Sequence, residues 1–156
     1  MLQKEIEKIS VNNFSQYGEL VNKPDTVPTA RSDKFKFWSD LAHYDIGGKS
    51  EIGICTVFLQ TKLIIEELER HNSSPEILIP GDGPFLIPLL LNQNDTSEID
   101  IFRVEIGQAI IINKGVWHGA CLPVGKKETS YFVIFEHGTP TKDVEKKSIQ
   151  PVEVLQ

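Results

Sequence analysis

The stretch LIIEELERH, residues Leu63–His71, decides between a helical and a β fold for this chain. Its Leu and Glu residues favour a helix, whereas the Ile- and Val-rich segments around it favour strands. We interpret it as a strand, because alternation then places Glu67, Glu69 and His71 on one face. In a helix, only Glu67 and His71 would remain neighbours. If this face points into a barrel, the two carboxylates and the imidazole require a metal, a ligand or water as a partner.

Six further segments have strand character, being short, rich in Ile, Val and Phe, and bounded by Gly, Pro, Asn or Asp. They are EIGICTVFLQ, EILIP, FLIPLLL, IDIFRVEIG, QAIIIN and TSYFVIFEHG. Seven strands at this close spacing predict an all-β sandwich or barrel. One helical turn is predicted in VNNFSQYG, capped by Ser10 and stopped by Gly18. Polar turn formers predict loops at Asn22–Lys34 and Asn92–Asp100, and the mixed-sign run KDVEKK predicts a solvated tail.

The composition is that of an ordinary globular protein. The chain has 156 residues, 40% hydrophobic and 24% charged, and we expect a single domain over residues 1–156. A net charge of −6 is unfavourable for binding nucleic acid or an anionic membrane, so neither is expected as a partner. We expect no signal peptide and no membrane span, because no apolar run is long enough. Two isolated cysteines, Cys55 and Cys121, favour the cytoplasm.

The residues that follow Glu69 have a distinctive spacing. Glu69-x-His71 is followed by four residues and then Glu76, and six more residues lead to Gly83. This spacing resembles the first motif of cupin proteins, with Glu69 in place of that motif's first His and Leu63 in place of its leading Gly.

A second stretch, NKGVWH, resembles the second cupin motif. Gly107 is followed by five residues, then Asn113-Lys114-Gly115, two further residues and His118. Asn113 replaces the Pro of the motif, and Leu122 replaces its terminal Asn. Together the two motifs imply an all-β, cupin-type double-stranded β-helix (jelly-roll barrel) with few short helices.

The two motifs point to a metal site formed by Glu69, His71, Glu76 and His118. Imidazole and carboxylate ligands suit Ni, Zn, Mn or Fe, and three or four protein ligands leave positions open for a chelating substrate. Each residue also has a structural interpretation: His118 as a core or surface residue, Glu69 and His71 as an exposed strand face, and Glu76 as a turn residue. Trp117 is expected either to pack in the core or to form a wall of the substrate pocket.

At these residues the chain resembles the ureidoglycolate lyase family, cupin-fold enzymes of allantoin breakdown. The resemblance is carried by FSQYGELV, ELERHNSSPEILIP, NKGVWH and YFVIFEHG, and it extends from Phe14 to about Val144. It implies a homodimeric cytoplasmic enzyme that splits ureidoglycolate into glyoxylate and urea with the help of a divalent metal, often nickel.

The resemblance also implies roles for individual residues. Lys114 lies where the family tends to have a basic residue and is expected to bind the carboxylate of the substrate. Either Glu69 or Glu136 is expected to move the proton. Glu136 and His137 have opposite parity on the last predicted strand, so only one faces the interior, and Glu136 is favoured because it matches the family's acid. The alternative interpretation of Glu136 is a surface charge at the end of the strand.

Several positions depart from the family pattern, and they bear on the substrate more than on the fold. These positions are Glu66, Asn113, Gly119, Ala120 and His137. Two other functions therefore stay open. One is another metal-dependent cupin enzyme, such as an oxygenase or isomerase of a small hydroxy or keto acid, which the identity of the metal would distinguish. The other is a non-catalytic cupin that binds a small molecule. Failure of both metals and substrate analogues to bind would favour this alternative.

Overall fold

Strands provide most of the regular structure of this chain. The structure, a computed structural model, describes residues 1–91 and 95–156. The strands are β1 (Leu2–Lys4), β2 (Glu7–Lys8), β3 (Gly18–Val21), β4 (Ala30–Arg31), β5 (Lys36–Phe37), β6 (Ser50–Phe58), β7 (Ile64–Arg70), β8 (Glu76–Pro80), β9 (Phe85–Leu90), β10 (Asp100–Val104), β11 (Ala109–Ile112), β12 (Trp117–His118), β13 (Leu122–Pro123), β14 (Glu128–Glu136) and β15 (Glu145–Val154). The helices are α1 (Val11–Phe14), α2 (Thr139–Lys142) and a 3₁₀ turn at Thr96–Glu98.

Two sheets form a jelly roll. One sheet has the order β3-β11-β8-β14-β6, and the other has the order β1-β15-β7-β12-β9-β10-β2, with β13 also paired to β9. From β6 to β14 the chain passes back and forth between the two sheets, apart from β9 and β10, which pair with each other, and β13. This double Greek-key path confirms the predicted jelly-roll fold with few short helices.

The centre of the larger sheet is buried on both faces. Its inner face packs against the smaller sheet around Phe85, Ile87 and Leu89. Its outer face encloses a second core that includes Leu86 and Leu90. The sheet can enclose this core because it curls: β1 pairs with β15 at one edge, β2 pairs with β10 at the other, and two residues join β1 to β2. Burial of both faces explains why FLIPLLL is continuously apolar rather than alternating.

The strand interpretation of Leu63–His71 is confirmed, since Ile64–Arg70 form β7. The other six predicted strands are also present, as β6, β8, β9, β10, β11 and β14. The predicted helical turn exists as α1, with the Ser10 side chain accepting a hydrogen bond from the amide of Asn13. The prediction that Gly18 stops this helix is wrong, because the helix ends at Phe14 and Gly18 begins β3.

The prediction of a solvated tail at KDVEKK is also wrong. Residues Glu145–Val154 form β15, which pairs with β7 on one side and β1 on the other. The charged side chains stay at the surface while the backbone is bonded in the sheet, so charge alone is no guide to disorder here.

The two predicted loops contain short regular elements. β4 lies in the first and pairs with β5, and the 3₁₀ turn lies in the second. Residues Asn92–Asn94 of the second loop lie outside the described residues. Within the described parts of the chain, the helices are too short and too polar to cross a membrane.

Candidate active site

The register of the larger sheet brings two of the predicted site residues, Glu69 and His118, into one row. Glu69 of β7 lies opposite His118 of β12 on one side and opposite Lys146 of β15 on the other. Side chains of directly paired residues point to the same face of a sheet, so these three share the inner face of the barrel. His71 follows at the end of β7, and Glu76 begins β8 in the opposite sheet.

Four residues converge between the two sheets. Ligand atoms of Glu69, His71 and His118 all lie within 4.8 Å of one another. Oε2 of Glu76 lies 3.0 Å from Nε2 of His118 and 3.6 Å from Nε2 of His71. Both imidazoles are 4% exposed and Glu76 is 7% exposed, whereas Glu69 is partly open to solvent. The structure therefore brings together all four residues that the two motifs singled out.

Three buried polar atoms at this point have no hydrogen-bond partner among the described residues. They are Nε2 of His71, Nε2 of His118 and Oε2 of Glu76. The 3.0 Å approach of His118 to Glu76 is short enough for an ion pair, but its geometry does not meet that of a hydrogen bond. Because buried polar atoms are nearly always satisfied, atoms aimed into one space indicate a site for a ligand.

A hydrogen bond at Nδ1, on the side of the ring away from the cluster, fixes the tautomer of His71. Its Nδ1 lies 2.7 Å from the backbone carbonyl oxygen of Asp143, to which it donates a hydrogen bond. Nε2 therefore carries a lone pair that faces the cluster, the arrangement usual for a metal-bound histidine. The Asp143 carboxylate in turn accepts hydrogen bonds from the amides of Asn72 and Ser73, which holds the turn after His71 in place.

Burial favours the uncharged forms of two site residues. It raises the pKa of Glu76 to about 7, with the nearby His71 opposing that rise. It lowers the pKa of His118 below the usual histidine value, with the Glu69 carboxylate opposing the change. A neutral imidazole is the form that binds a metal, and a bound cation would keep the Glu76 carboxyl ionised.

The donor set fits a divalent transition metal. Two imidazoles and two carboxylates supply nitrogen and oxygen ligands of the kind that Zn, Ni, Mn and Fe accept. The orphaned nitrogen and oxygen atoms are those a metal would satisfy. The site thus meets the requirements of a metal centre on its own chemistry.

Two adjoining cavities, of about 420 and 500 Å³, open beside the cluster. They share five lining residues, namely Cys55, Glu69, Glu76, Tyr131 and Lys146. His118 lines the first cavity and His71 the second. A small molecule in either cavity would therefore touch the cluster directly.

Three of the residues assigned by sequence lie elsewhere. Trp117 has the opposite parity to His118 and therefore packs in the second core. The cationic groups of Arg70 and Lys147 each lie 4.5 Å from the centroid of its ring. Trp117 therefore does not form a wall of the pocket. Lys114 is exposed and lines a separate surface depression with His43 and Tyr44.

Glu136 also points away from the cluster. Phe135 faces the interior, where its ring contacts that of His71, so alternation turns Glu136 outwards. Its carboxylate lies 3.9 Å from Nζ of Lys142. The prediction that Glu136 faces the interior is wrong, and His137 is exposed as well. The expected burial of Glu67 is likewise wrong, because its side chain is 56% exposed.

Sequence reasoning missed Lys146, Tyr131 and the two cysteines as pocket residues. Tyr131 and Cys55 line both cavities, and Cys121 lines the first. Both cysteines are free. Alternation in VEV at the end of β15 indicates a strand. The sequence does not show that this strand pairs with β7, which is what brings Lys146 to the pocket.

The sequence has detectable relatives. It matches the model of the ureidoglycolate lyase family over residues 1–155. A ureidoglycolate lyase of Rhodobacter capsulatus is 26% identical over 128 residues, covering 77% of this chain and 78% of the relative. A ureidoglycolate lyase of Burkholderia mallei is 22% identical over 152 residues, covering 92% and 88%.

Solved structures show more distant likenesses. A Bacillus subtilis oxalate decarboxylase aligns with a TM-score of 0.46 and 14% identity, covering 66% of this chain. RmlC from Streptococcus suis aligns with a TM-score of 0.42 and 11% identity, covering 55%. The alignments cover 24% and 43% of those chains, respectively.

Proposed function

The chain belongs to the ureidoglycolate lyase family, and we propose that the cavities beside Glu69, His71, Glu76 and His118 are where it splits ureidoglycolate into glyoxylate and urea. The observation that carries this proposal is the convergence of three unsatisfied buried atoms next to cavities sized for a small molecule. The substrate is a small α-hydroxy acid, and its α-carbon carries both the hydroxyl and the urea nitrogen. Cleavage removes the hydroxyl proton, breaks the carbon–nitrogen bond and returns a proton to the urea nitrogen.

A divalent metal, with Ni, Zn and Mn as the candidates, would be held by His71, His118 and Glu76, with Glu69 at the open side. When bound, it would acidify the substrate hydroxyl and hold it in place. The two buried imidazoles and Glu76 contribute fixed positions, because they are enclosed between the sheets. Fixed positions orient the substrate and lower the entropic cost of reaching the reactive geometry.

Glu69 is the residue that we assign to proton movement. It lines both cavities and is less buried than the other three residues, so it can reach a substrate in either. A carboxylate has two oxygen atoms, and one can face the cluster while the other accepts the hydroxyl proton and passes it to the urea nitrogen. Acid–base help of this kind typically contributes about 10²–10⁴-fold to the rate.

The test is urea release from racemic ureidoglycolate by the purified protein, supplied in turn with nickel, manganese and zinc. We expect Glu69→Gln to lower kcat by about 10²-fold or more while the protein stays folded. Glu145→Gln is the matched control, because it makes the same change at a carboxylate that lies outside both cavities. Folded wild-type protein that releases no urea with any of the metals would rule out this substrate.

We also propose a homodimer. The outer faces of β6 and β14 expose apolar side chains, among them Ile52, Ile54, Phe58 and Phe132, which are 40–66% exposed. β6 is the edge strand of its sheet. A second copy packed on this face could shield both the apolar side chains and the strand edge from water.

The free thiols of Cys55 and Cys121 support a reducing compartment, for which we propose the cytoplasm.

A further inference from the structure

The cavities beside the cluster are strongly acidic. Glu66, Glu67, Glu69 and Glu76 line the first cavity, and Glu51 joins Glu69 and Glu76 around the second. Carboxylates at this density repel an anionic ligand. Binding of a small carboxylic acid therefore needs positive charge from elsewhere in the site.

Lys146 is the one Lys or Arg among the described residues that line either cavity, and it lines both. Its position follows from the sheet register, which sets Lys146 of β15 opposite Glu69 of β7, and Glu69 opposite His118 of β12. The ammonium group thus stands at one end of a row of inward-facing side chains that ends in the histidine cluster.

Lys146 is tied to this position by a weak contact. Its Nζ donates a hydrogen bond of 2.9 Å to Oε1 of Glu67, and the two side chains are 58% and 56% exposed. Exposed ion pairs of this kind are worth little, because water screens them and both side chains lose freedom. An incoming carboxylate can therefore replace Glu67 as the partner of Lys146 at small cost.

We propose that Lys146 is the specificity-determining residue of this pocket, which exchanges Glu67 for the carboxylate of a small hydroxy acid bound at the cluster. The inference rests on the proposed function and assigns the carboxylate-binding role to β15 rather than to Lys114. The ligand class is a small monocarboxylate whose hydroxyl group reaches the histidine cluster while its charge stays at the β7–β15 side.

The neighbouring residues provide a matched comparison. Lys147 has the opposite parity and packs over the ring of Trp117 on the other face of the sheet. Glu145, also on β15, accepts hydrogen bonds from Arg70 and Asn72, away from both cavities. Lys147→Gln and Glu145→Gln therefore make the same charge changes as Lys146→Gln and Glu67→Gln, but outside the pocket.

The experiment measures binding of glycolate by calorimetry to the manganese-loaded protein, with glycolamide as an uncharged probe of nearly the same shape. We expect Lys146→Gln to raise the Kd for glycolate about tenfold and to leave that for glycolamide unchanged. Glu67→Gln should lower the Kd for glycolate by up to about fivefold, because it frees Lys146 and removes a repelling charge. Lys146→Arg should keep most of the affinity.

Opposite effects of the two pocket variants, with neither control changing the Kd, would establish the role of Lys146. Wild-type protein that binds no glycolate, or equal changes in the pocket and control variants, would overturn it. Ureidoglycolate cleavage measured on the same samples separates the two proposals. Cleavage by the wild type with an unchanged KM in Lys146→Gln would refute the inference alone, and glycolate binding that depends on Lys146 without cleavage would refute the proposed reaction alone.

Discussion

Nε2 of His118 lies 3.0 Å from Oε2 of Glu76, although the two residues belong to different sheets. His118 is in β12 of the larger sheet and Glu76 begins β8 of the smaller one. The site therefore exists only when the two sheets pack face to face. The four residues of the cluster meet only in the folded barrel, so substitutions among them should affect both metal binding and stability.

Loss of either imidazole should prevent binding of the proposed metal. We expect His118→Ala to weaken binding of zinc or nickel by more than about 100-fold, because even supporting hydrogen bonds at metal sites are worth about 10–100-fold. Metal content after dialysis, measured by elemental analysis, checks this. His137→Ala should retain the wild-type content, and equal metal content in the two variants would contradict a site at His118.

Stability of the metal-free protein should depend on Glu76 and pH. The folded-state pKa of Glu76 is raised from 4.5 to about 7, so the folded protein binds more protons than the unfolded chain between these values. The contribution of Glu76 to the free energy of unfolding therefore falls as pH rises from about 4.5 to 7, by an amount on the order of 3 kcal/mol.

The lowered pKa of His118 acts in the opposite direction, since stability from that group rises with pH up to the ordinary histidine range. The difference between wild type and Glu76→Gln isolates the carboxyl. Urea unfolding at pH 5 and pH 7.5 should show that Glu76→Gln gains stability relative to wild type at the higher pH. The same difference at both values would argue against a raised pKa.

Gly18 should be intolerant of any side chain. A Cβ at this position would lie 1.7 Å from the carbonyl oxygen of Ile111, which belongs to the paired strand β11. We expect Gly18→Ala to reduce the free energy of unfolding by about 3 kcal/mol, at the upper end of what overpacking costs. Gly53→Ala is the control, because a Cβ there meets nothing within 4 Å, and its stability should stay within about 1 kcal/mol of wild type.

A charge on the outer face of β6 should prevent the proposed dimer. Ile54 lies directly opposite Phe132, and both are exposed. Ile54→Glu would place charges in an apolar contact between copies, so sedimentation should show a monomer where the wild type is a dimer. Ile106→Glu makes the same change at an exposed residue outside β6 and β14 and should stay dimeric. A wild-type protein that sediments as a monomer would refute the interface.

The sequence predicted seven of the strands, and its two motifs, by their resemblance to those of cupins, implied the jelly-roll class and the four residues of the cluster. Alternation in Leu63–His71 and the spacing around His71 and His118 depend on residues near one another in the chain, so these features can be read locally. The same local signals placed Ser10 as a helix cap. They failed at Gly18, whose role depends on the close approach of β11.

Only the tertiary structure decided which other side chains join the cluster. Trp117 and His118 are both buried, because the larger sheet has a core on each face, and burial on both faces erases the alternation that separates inside from outside. Lys146 enters the pocket, and Lys114 does not, because β15 pairs with β7 across a separation of 79 residues between Lys146 and Glu67. Strand pairing over such distances is set by the packing of the whole barrel, which no local stretch of the chain encodes.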